Sequence, residues 1–194
     1  MNDSIIARLQ ECSKQLKLGF SITESRKWTA EAFCLELVAQ YGHFTFALAA
    51  ENLWYNRPII LSYLSIEDEL CDMFFQIFNL ANLYSIELAN EAKELHLDQT
   101  LGSNCTLSTV TECFSNSIGI LCDCVLREKS YKDYGGQNDS QLSELIRRQI
   151  CILFSSAIQL SIILDIDIEK SFVQMVVDAS AYLEKWKIHN IHEE

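Results

Sequence analysis

The sequence predicts an all-α protein of about six helices with a four-helix-bundle core. Glycine and proline are scarce, at six and one among 194 residues, and apolar residues make up 49% of the chain. Apolar side chains recur at helical spacing, and no segment alternates with the period of two that is typical of strands. A chain of this length can bury one substantial core, so we expect residues 1–194 to form a single domain.

The helices follow from these apolar patterns and from the signals at their ends. The predicted helices cover residues 3–18, about 25–55, about 65–95, about 106–129, about 140–164 and about 168–188. Gly19 is expected to cap the first helix, and Pro58 breaks the chain after the second. The polar segment 98–104 is the best candidate for a linker.

The two halves of the chain resemble each other. Gly42 and Gly119 interrupt helices 77 residues apart, and the similar segments 84–88 and 164–168 end the apolar helices 80 residues apart. We therefore predict a diverged duplication, with pseudo-repeats at about 20–98 and 105–188. A glycine inside a helix costs about 1 kcal/mol relative to alanine. Two such glycines predict close approaches between helices, with coincidence as the alternative.

The charge of the chain narrows the classes of partner. The net charge is −12 and the sequence has no Lys/Arg cluster, which argues against binding to the phosphate backbone of nucleic acids. Nucleotides held through a divalent cation remain compatible with this charge, because the metal supplies the positive field.

Targeting and cysteine signals are also informative. The chain opens with polar residues and lacks a basic leader, and its longest nearly uncharged apolar run, Ile150–Leu164, is too short to span a bilayer. We therefore expect no membrane insertion and a cytoplasmic location. The eight cysteines lack the spacing of a zinc site, so buried free thiols are the favoured interpretation.

The third predicted helix begins with a pair of carboxylates. Ser65 supplies a capping side chain, and Glu69 and Asp72 lie three residues apart on one face. The acids either interact with the dipole of the first helical turn or form a metal-binding face. On the preceding helix Gln40 and His43 also lie three apart, so an antiparallel pairing would place them opposite the acids.

These two helices resemble the MazG-like all-α nucleoside triphosphate pyrophosphohydrolases, whose signature is an ExxE pair followed by an ExxD pair. Residues 37–44 (LVAQYGHF), 68–74 (DELCDMF) and 85–88 (SIEL) match the family's landmarks. The resemblance implies a catalytic and metal-binding role for Glu69 and Asp72, with Gln40 and His43 as altered metal ligands.

The same resemblance implies a cofactor, a substrate and a reaction. Mg²⁺ or Mn²⁺ would hold a nucleoside triphosphate, and water would release a nucleoside monophosphate and pyrophosphate. Trp54 and Tyr55 would lie near the base of the nucleotide, with packing in the core or at its rim as the alternative.

The chain also departs from the family pattern. Gln40 and His43 stand where the family has two acids, so the site retains half of its carboxylates. One hypothesis is a degenerate pyrophosphohydrolase that serves as a nucleotide-binding or protein-interaction module, and the alternative is an active metal-dependent enzyme.

The second half lacks such acids altogether. Gln149 and Ile152 occupy the positions equivalent to the acid pair, so we expect this half to complete a bundle that homodimeric relatives build from two chains. A nucleoside triphosphate and a second copy of the chain are the candidate partners.

Overall fold

The computed structural model describes residues 1–51, 65–94, 105–133 and 138–190. Within these residues the protein has seven α-helices and no strand, which confirms the all-α prediction for this part of the chain. The helices are α1 (Asp3–Phe20), α2 (Ala30–Glu51), α3 (Ile66–Leu83), α4 (Leu88–Glu94), α5 (Leu107–Glu128), α6 (Asp139–Ile163) and α7 (Ile168–Asn190).

Four long helices form the centre of a helical bundle. The most extensive packing is between α2 and α3 and between α5 and α6, and the two pairs meet through α3 against α6 and α2 against α5. Tyr41 joins the pairs on one side, since its ring stacks on Phe114 at 5.1 Å and its hydroxyl donates to the Thr111 carbonyl at 2.8 Å. Helices α1 and α7 pack against each other and cover α3.

An aromatic cluster fills the core where α3, α6 and α7 meet. The ring of Phe78 lies 5.9 Å from Phe154 and 5.3 Å from Phe172, and Phe74 packs against both Phe78 and Phe154. Phe74, Phe78 and Phe172 are fully buried. Aromatic pairs at these separations add about 0.5–1.5 kcal/mol each to the burial of their surfaces. The apolar character of α3 on most sides therefore reflects its central place in the bundle.

The same turn follows α3 and α6, and it changes the predicted helix count. Ser85 and Asp165, 80 residues apart, both adopt left-handed backbone conformations, with φ of 57° and 54°. In each turn the next amide donates to the carbonyl five residues earlier, at 2.8 and 2.9 Å, which completes a Schellman motif. The helix predicted at about 65–95 therefore ends at Leu83, and α4 is a separate seventh helix.

The correspondence between the halves extends to whole elements. Helices α2 and α5 have 22 residues each, α4 packs on α6, and α7 packs on α3. Each short crossing thus joins one half to the long helix of the other. This arrangement favours the duplication hypothesis for 20–98 and 105–188, with α1 as an addition outside the repeats.

The glycines have other roles than the sequence predicts. A Cβ atom added at Gly42 or Gly119 would meet nothing within 4 Å, so the predicted close approaches at these positions are wrong. Gly19 lies inside α1 and does not cap it, because the helix continues to Phe20. A Cβ atom at Gly19 would lie 2.9 Å from Cδ1 of Leu183, so this glycine permits the contact between α1 and α7.

Helix α6 is the one described helix whose length and apolar composition would suffice to cross a membrane. Of its most apolar window 56% is buried inside the bundle, which is also typical of a core helix. All eight cysteines are free, and Cys34, Cys71, Cys124 and Cys151 are buried. The expected free thiols are therefore present, half of them in the core.

Candidate functional site

The candidate site lies between α2 and the first turns of α3. Ser65 caps α3 by accepting a hydrogen bond from the Asp68 amide at 3.0 Å. This cap fixes the start of the helix and turns Glu69 toward α2. The Glu69 side chain is only 7% exposed.

The structure brings Gln40 and His43 opposite Glu69, as the antiparallel pairing predicts. The Gln40 amide donates to Oε1 of Glu36 at 2.8 Å, and Oε1 of Gln40 lies 3.3 Å from Nδ1 of His43. The same Nδ1 is 3.5 Å from Oε2 of Glu69. Side chains from both helices therefore form one polar chain, from Glu36 through Gln40 and His43 to Glu69.

Glu69 is incompletely satisfied at the end of this chain. Its Oε2 is buried without a hydrogen-bond partner, since 3.5 Å is too long for a strong bond to His43. Burial raises the pKa of Glu69, while the nearby His43 opposes that rise. A buried carboxylate with an open acceptor favours either its own protonation or a positively charged neighbour.

Asp72 lies one turn further along α3 and has no hydrogen bond or ion pair with any described residue. Burial is the largest cause that raises the pKa of Asp72 to about 7, and the charges of Glu69, Asp68 and Glu36 add to it. Three like charges and partial burial thus hold this side chain between its ionised and neutral forms near neutral pH.

Asp72 opens into an acidic cleft of about 470 Å³ among α1, α2, α3 and α7. The lining carboxylates are Glu36, Glu67, Asp68, Asp72 and Asp178, and no Lys, Arg or His is among the residues that line the cleft. Two of these acids already accept hydrogen bonds inside the protein, Glu67 from Ser171 and Asp178 from Gln174 at 3.0 Å. The electrostatic field of the cleft is therefore strongly negative.

These donors do not form a preassembled site for Mg²⁺ or Mn²⁺. In the described part of the chain, no three His, Cys, Asp or Glu side chains converge as a metal ion requires. The Gln40 amide is directed at Glu36. Glu69 and Asp72 are the only carboxylates at the two family motifs, and the former faces His43.

The remaining predicted site residues divide into two groups. Trp54 and Tyr55 lie outside the described residues. In the second half, Gln149 is buried like Glu69, and its Oε1 has no hydrogen-bond partner. The equivalent positions of the two halves thus share burial and an unsatisfied oxygen, and only the first half retains acids.

Sequence reasoning missed the contribution of α7 to this cleft. Ser171 and Asp178 come from a helix about 100 residues beyond the α3 acids, and no motif links them to that helix. Gln76, one turn after Asp72, also lines the cleft with a buried, unpartnered Oε1. Its sequence environment is that of an ordinary core helix, so only the packing reveals it.

No protein-family model, curated protein or solved structure gives a significant match to this chain. The resemblance to the MazG-like family therefore stays a prediction from the motifs.

Proposed function

We propose that this protein is a diverged MazG-like bundle that acts as a binding module and does not hydrolyse nucleotides. One observation carries the proposal: Gln40 and His43, at the positions of the family's first acid pair, are joined to Glu36 and Glu69. Side-chain groups that would face a metal in an active relative contact one another instead. The altered pair therefore closes the polar chain within the protein.

The cleft beside this chain indicates what the module binds. Five carboxylates line it without a neighbouring cation, so a nucleoside triphosphate without metal would be repelled. A Lys or Arg side chain complements the same field and can donate to the open oxygens of Asp72 and Gln76. Of the two kinds of module, the charges favour a protein-interaction module that accepts a basic segment.

An active pyrophosphohydrolase is the second candidate, and Asp72 is the observation that favours it. A partnerless carboxylate whose pKa is raised to about 7 at the mouth of a cleft is typical of functional sites. A divalent cation would stabilise the ionised forms of Asp72 and Glu69 together. On this alternative, Mg²⁺ or Mn²⁺ would have to bring the triphosphate into the acidic cleft.

Manganese binding separates the two candidates. Electron paramagnetic resonance titration of Mn²⁺ should show no saturable site in the wild type that Asp72→Asn removes. The double variant Gln40→Glu/His43→Glu restores the acid pair and should gain such a site. Tight Mn²⁺ binding by the wild type that depends on Asp72 would favour the enzyme and contradict the module.

Peptide binding tests the preferred kind of module. A short Lys/Arg-rich peptide should bind at low ionic strength, and an acidic peptide of equal length should not. Asp178→Asn in the cleft should weaken the basic peptide by about two- to fivefold, as expected for one screened charge. The matched control Glu112→Gln removes an exposed acid that does not line the cleft. Equal loss in both variants would mean that only the net charge matters.

A further inference from the structure

We propose that a second pocket, at the other end of α3, binds a small molecule that carries an apolar ring and an anionic group. The pocket has a volume of about 450 Å³ and lies among the C-terminal parts of α1 and α3 and the segment before α2. Its size is within the range of small-molecule sites, about 300–1,000 Å³. It shares no lining residue with the acidic cleft, so the inference does not rest on the proposed function.

The positive charge of this pocket is exceptional for so acidic a protein. Lys14, Lys17, Arg26 and Lys27 line it, although the whole chain has 15 Lys and Arg residues and a net charge of −12. The one acid in the lining is Glu24, which forms an ion pair with Lys17. The other three cations form no ion pair with any described residue, so their field is available to an anion.

The sequence does not reveal this grouping of cations. Lys14 and Lys17 lie one turn apart on α1, and Arg26 and Lys27 follow in the connecting segment. Folding brings the two pairs around one cavity. The absence of a Lys/Arg cluster in the sequence is thus not an absence in the structure.

An aromatic wall gives the pocket an apolar surface. Trp28 is half-buried, its ring lies 5.2 Å from the ring of Phe33, and Nζ of Lys17 is 4.5 Å from its centroid. Leu18 and Leu83 line the same pocket and are 59% and 45% exposed. Large apolar side chains at the mouth of a cavity favour an apolar ligand body, which would remove them from water.

A buried amide supplies an independent sign of a ligand. Asn79 is 4% exposed and lines the pocket, and its Nδ2 has no hydrogen-bond partner. Buried donors are nearly always satisfied, so an orphan beside a cavity indicates an acceptor that the chain itself does not supply. A carboxylate or phosphate oxygen would satisfy this donor and complement the three cations.

The ligand class is therefore an aromatic or similarly flat apolar molecule with a carboxylate or a phosphate. Asn79 follows Asp72 by seven residues, which separates the two sites by about 10 Å along the axis of α3. One bundle thus offers an acidic cleft at one end of its central helix and a basic, apolar pocket at the other.

Isothermal titration calorimetry with matched probes tests the inference. The probes are naphthylacetate and naphthyl phosphate as aromatic anions, naphthylmethylamine as the aromatic cation, and inorganic phosphate as the anion without a ring. At least one aromatic anion should bind at one site, with the amine and inorganic phosphate weaker by about tenfold or more. The stronger of the two aromatic anions identifies the anionic group.

Charge variants locate the binding. Lys14→Gln/Arg26→Gln should weaken the aromatic anion by about fivefold or more, since each removes a cation beside the ligand. The control Lys170→Gln/Lys185→Gln makes the same change in net charge at exposed positions outside the pocket. Equal binding of amine and anion, or equal losses in the two double variants, would overturn the inference.

Asn79→Leu separates binding from stability. This variant removes the orphan donor, so the free protein should melt at a higher temperature while the aromatic anion binds more weakly. A higher Tm with unchanged binding would contradict a ligand contact at Asn79. If this variant does not fold, the charge variants decide the question alone.

Discussion

The substitution Asp72→Asn should stabilise the protein at alkaline pH. Asp72 is partly buried beside Glu69, Asp68 and Glu36, and it has no hydrogen-bond donor among the described residues. Ionisation of Asp72 therefore opposes folding. Asparagine has nearly the same shape and removes the charge, so it should relieve this penalty.

The magnitude follows from the difference between the folded and unfolded pKa. Burial and like charges raise the pKa of Asp72 to about 7, against 3.8 for an ordinary aspartate. A group whose pKa is raised by folding contributes most stability below its unfolded pKa, and loses that contribution as the pH rises through the folded pKa. About three pH units correspond to about 4 kcal/mol, so we expect a gain of about 2–4 kcal/mol above pH 7.

Urea unfolding followed by circular dichroism measures this gain at about pH 8 and about pH 4.5. At the lower pH the folded Asp72 is already neutral, so the variant and the wild type should agree within about 1 kcal/mol. Asp178→Asn is the control, because Asp178 is exposed in the same cleft and should change stability by less than about 0.5 kcal/mol. A loss of stability in Asp72→Asn at about pH 8 would refute the reasoning, since it would mean that the ionised carboxylate is satisfied.

Two further predictions concern positions outside the acidic cleft. Gly42→Ala and Gly119→Ala should each raise the free energy of unfolding by about 0.5–1 kcal/mol, because both glycines lie within helices and an added Cβ meets open space; a loss measured by urea unfolding would mean a hidden contact. Cys122 should be the fastest thiol to react with iodoacetamide near pH 7, because a hydrogen bond from Cys34 lowers its pKa to about 7. Cys34→Ala should slow this alkylation by about threefold or more, as followed by peptide mass spectrometry, and an unchanged rate would contradict the contact.

The sequence predicts the fold class better than the number of helices. Apolar periodicity and the scarcity of glycine identify the long helices, since both follow from packing around one core. The break between α3 and α4 is different, because it depends on Ser85 adopting a left-handed conformation that usually favours glycine. Serine gives little sequence signal for such a turn, so the helix predicted at about 65–95 is too long.

The candidate site shows a similar division between local and distant information. Helical spacing and the pairing of α2 with α3 are sufficient to place Gln40 and His43 near Glu69. The acids of the cleft that come from other helices, and the cations around Trp28, depend on the packing of α1 and α7. No local pattern encodes those contacts, so only the folded chain reveals the two opposite fields.

Pyrophosphate release tests the central claim most directly. The purified, folded chain would be incubated with each ribonucleoside and deoxyribonucleoside triphosphate, with Mg²⁺ and separately with Mn²⁺. The proposal predicts no release above that of Asp72→Asn with either metal, because Gln40 and His43 have replaced the first acid pair. Release by the wild type that Asp72→Asn abolishes would contradict the proposal and establish the enzyme.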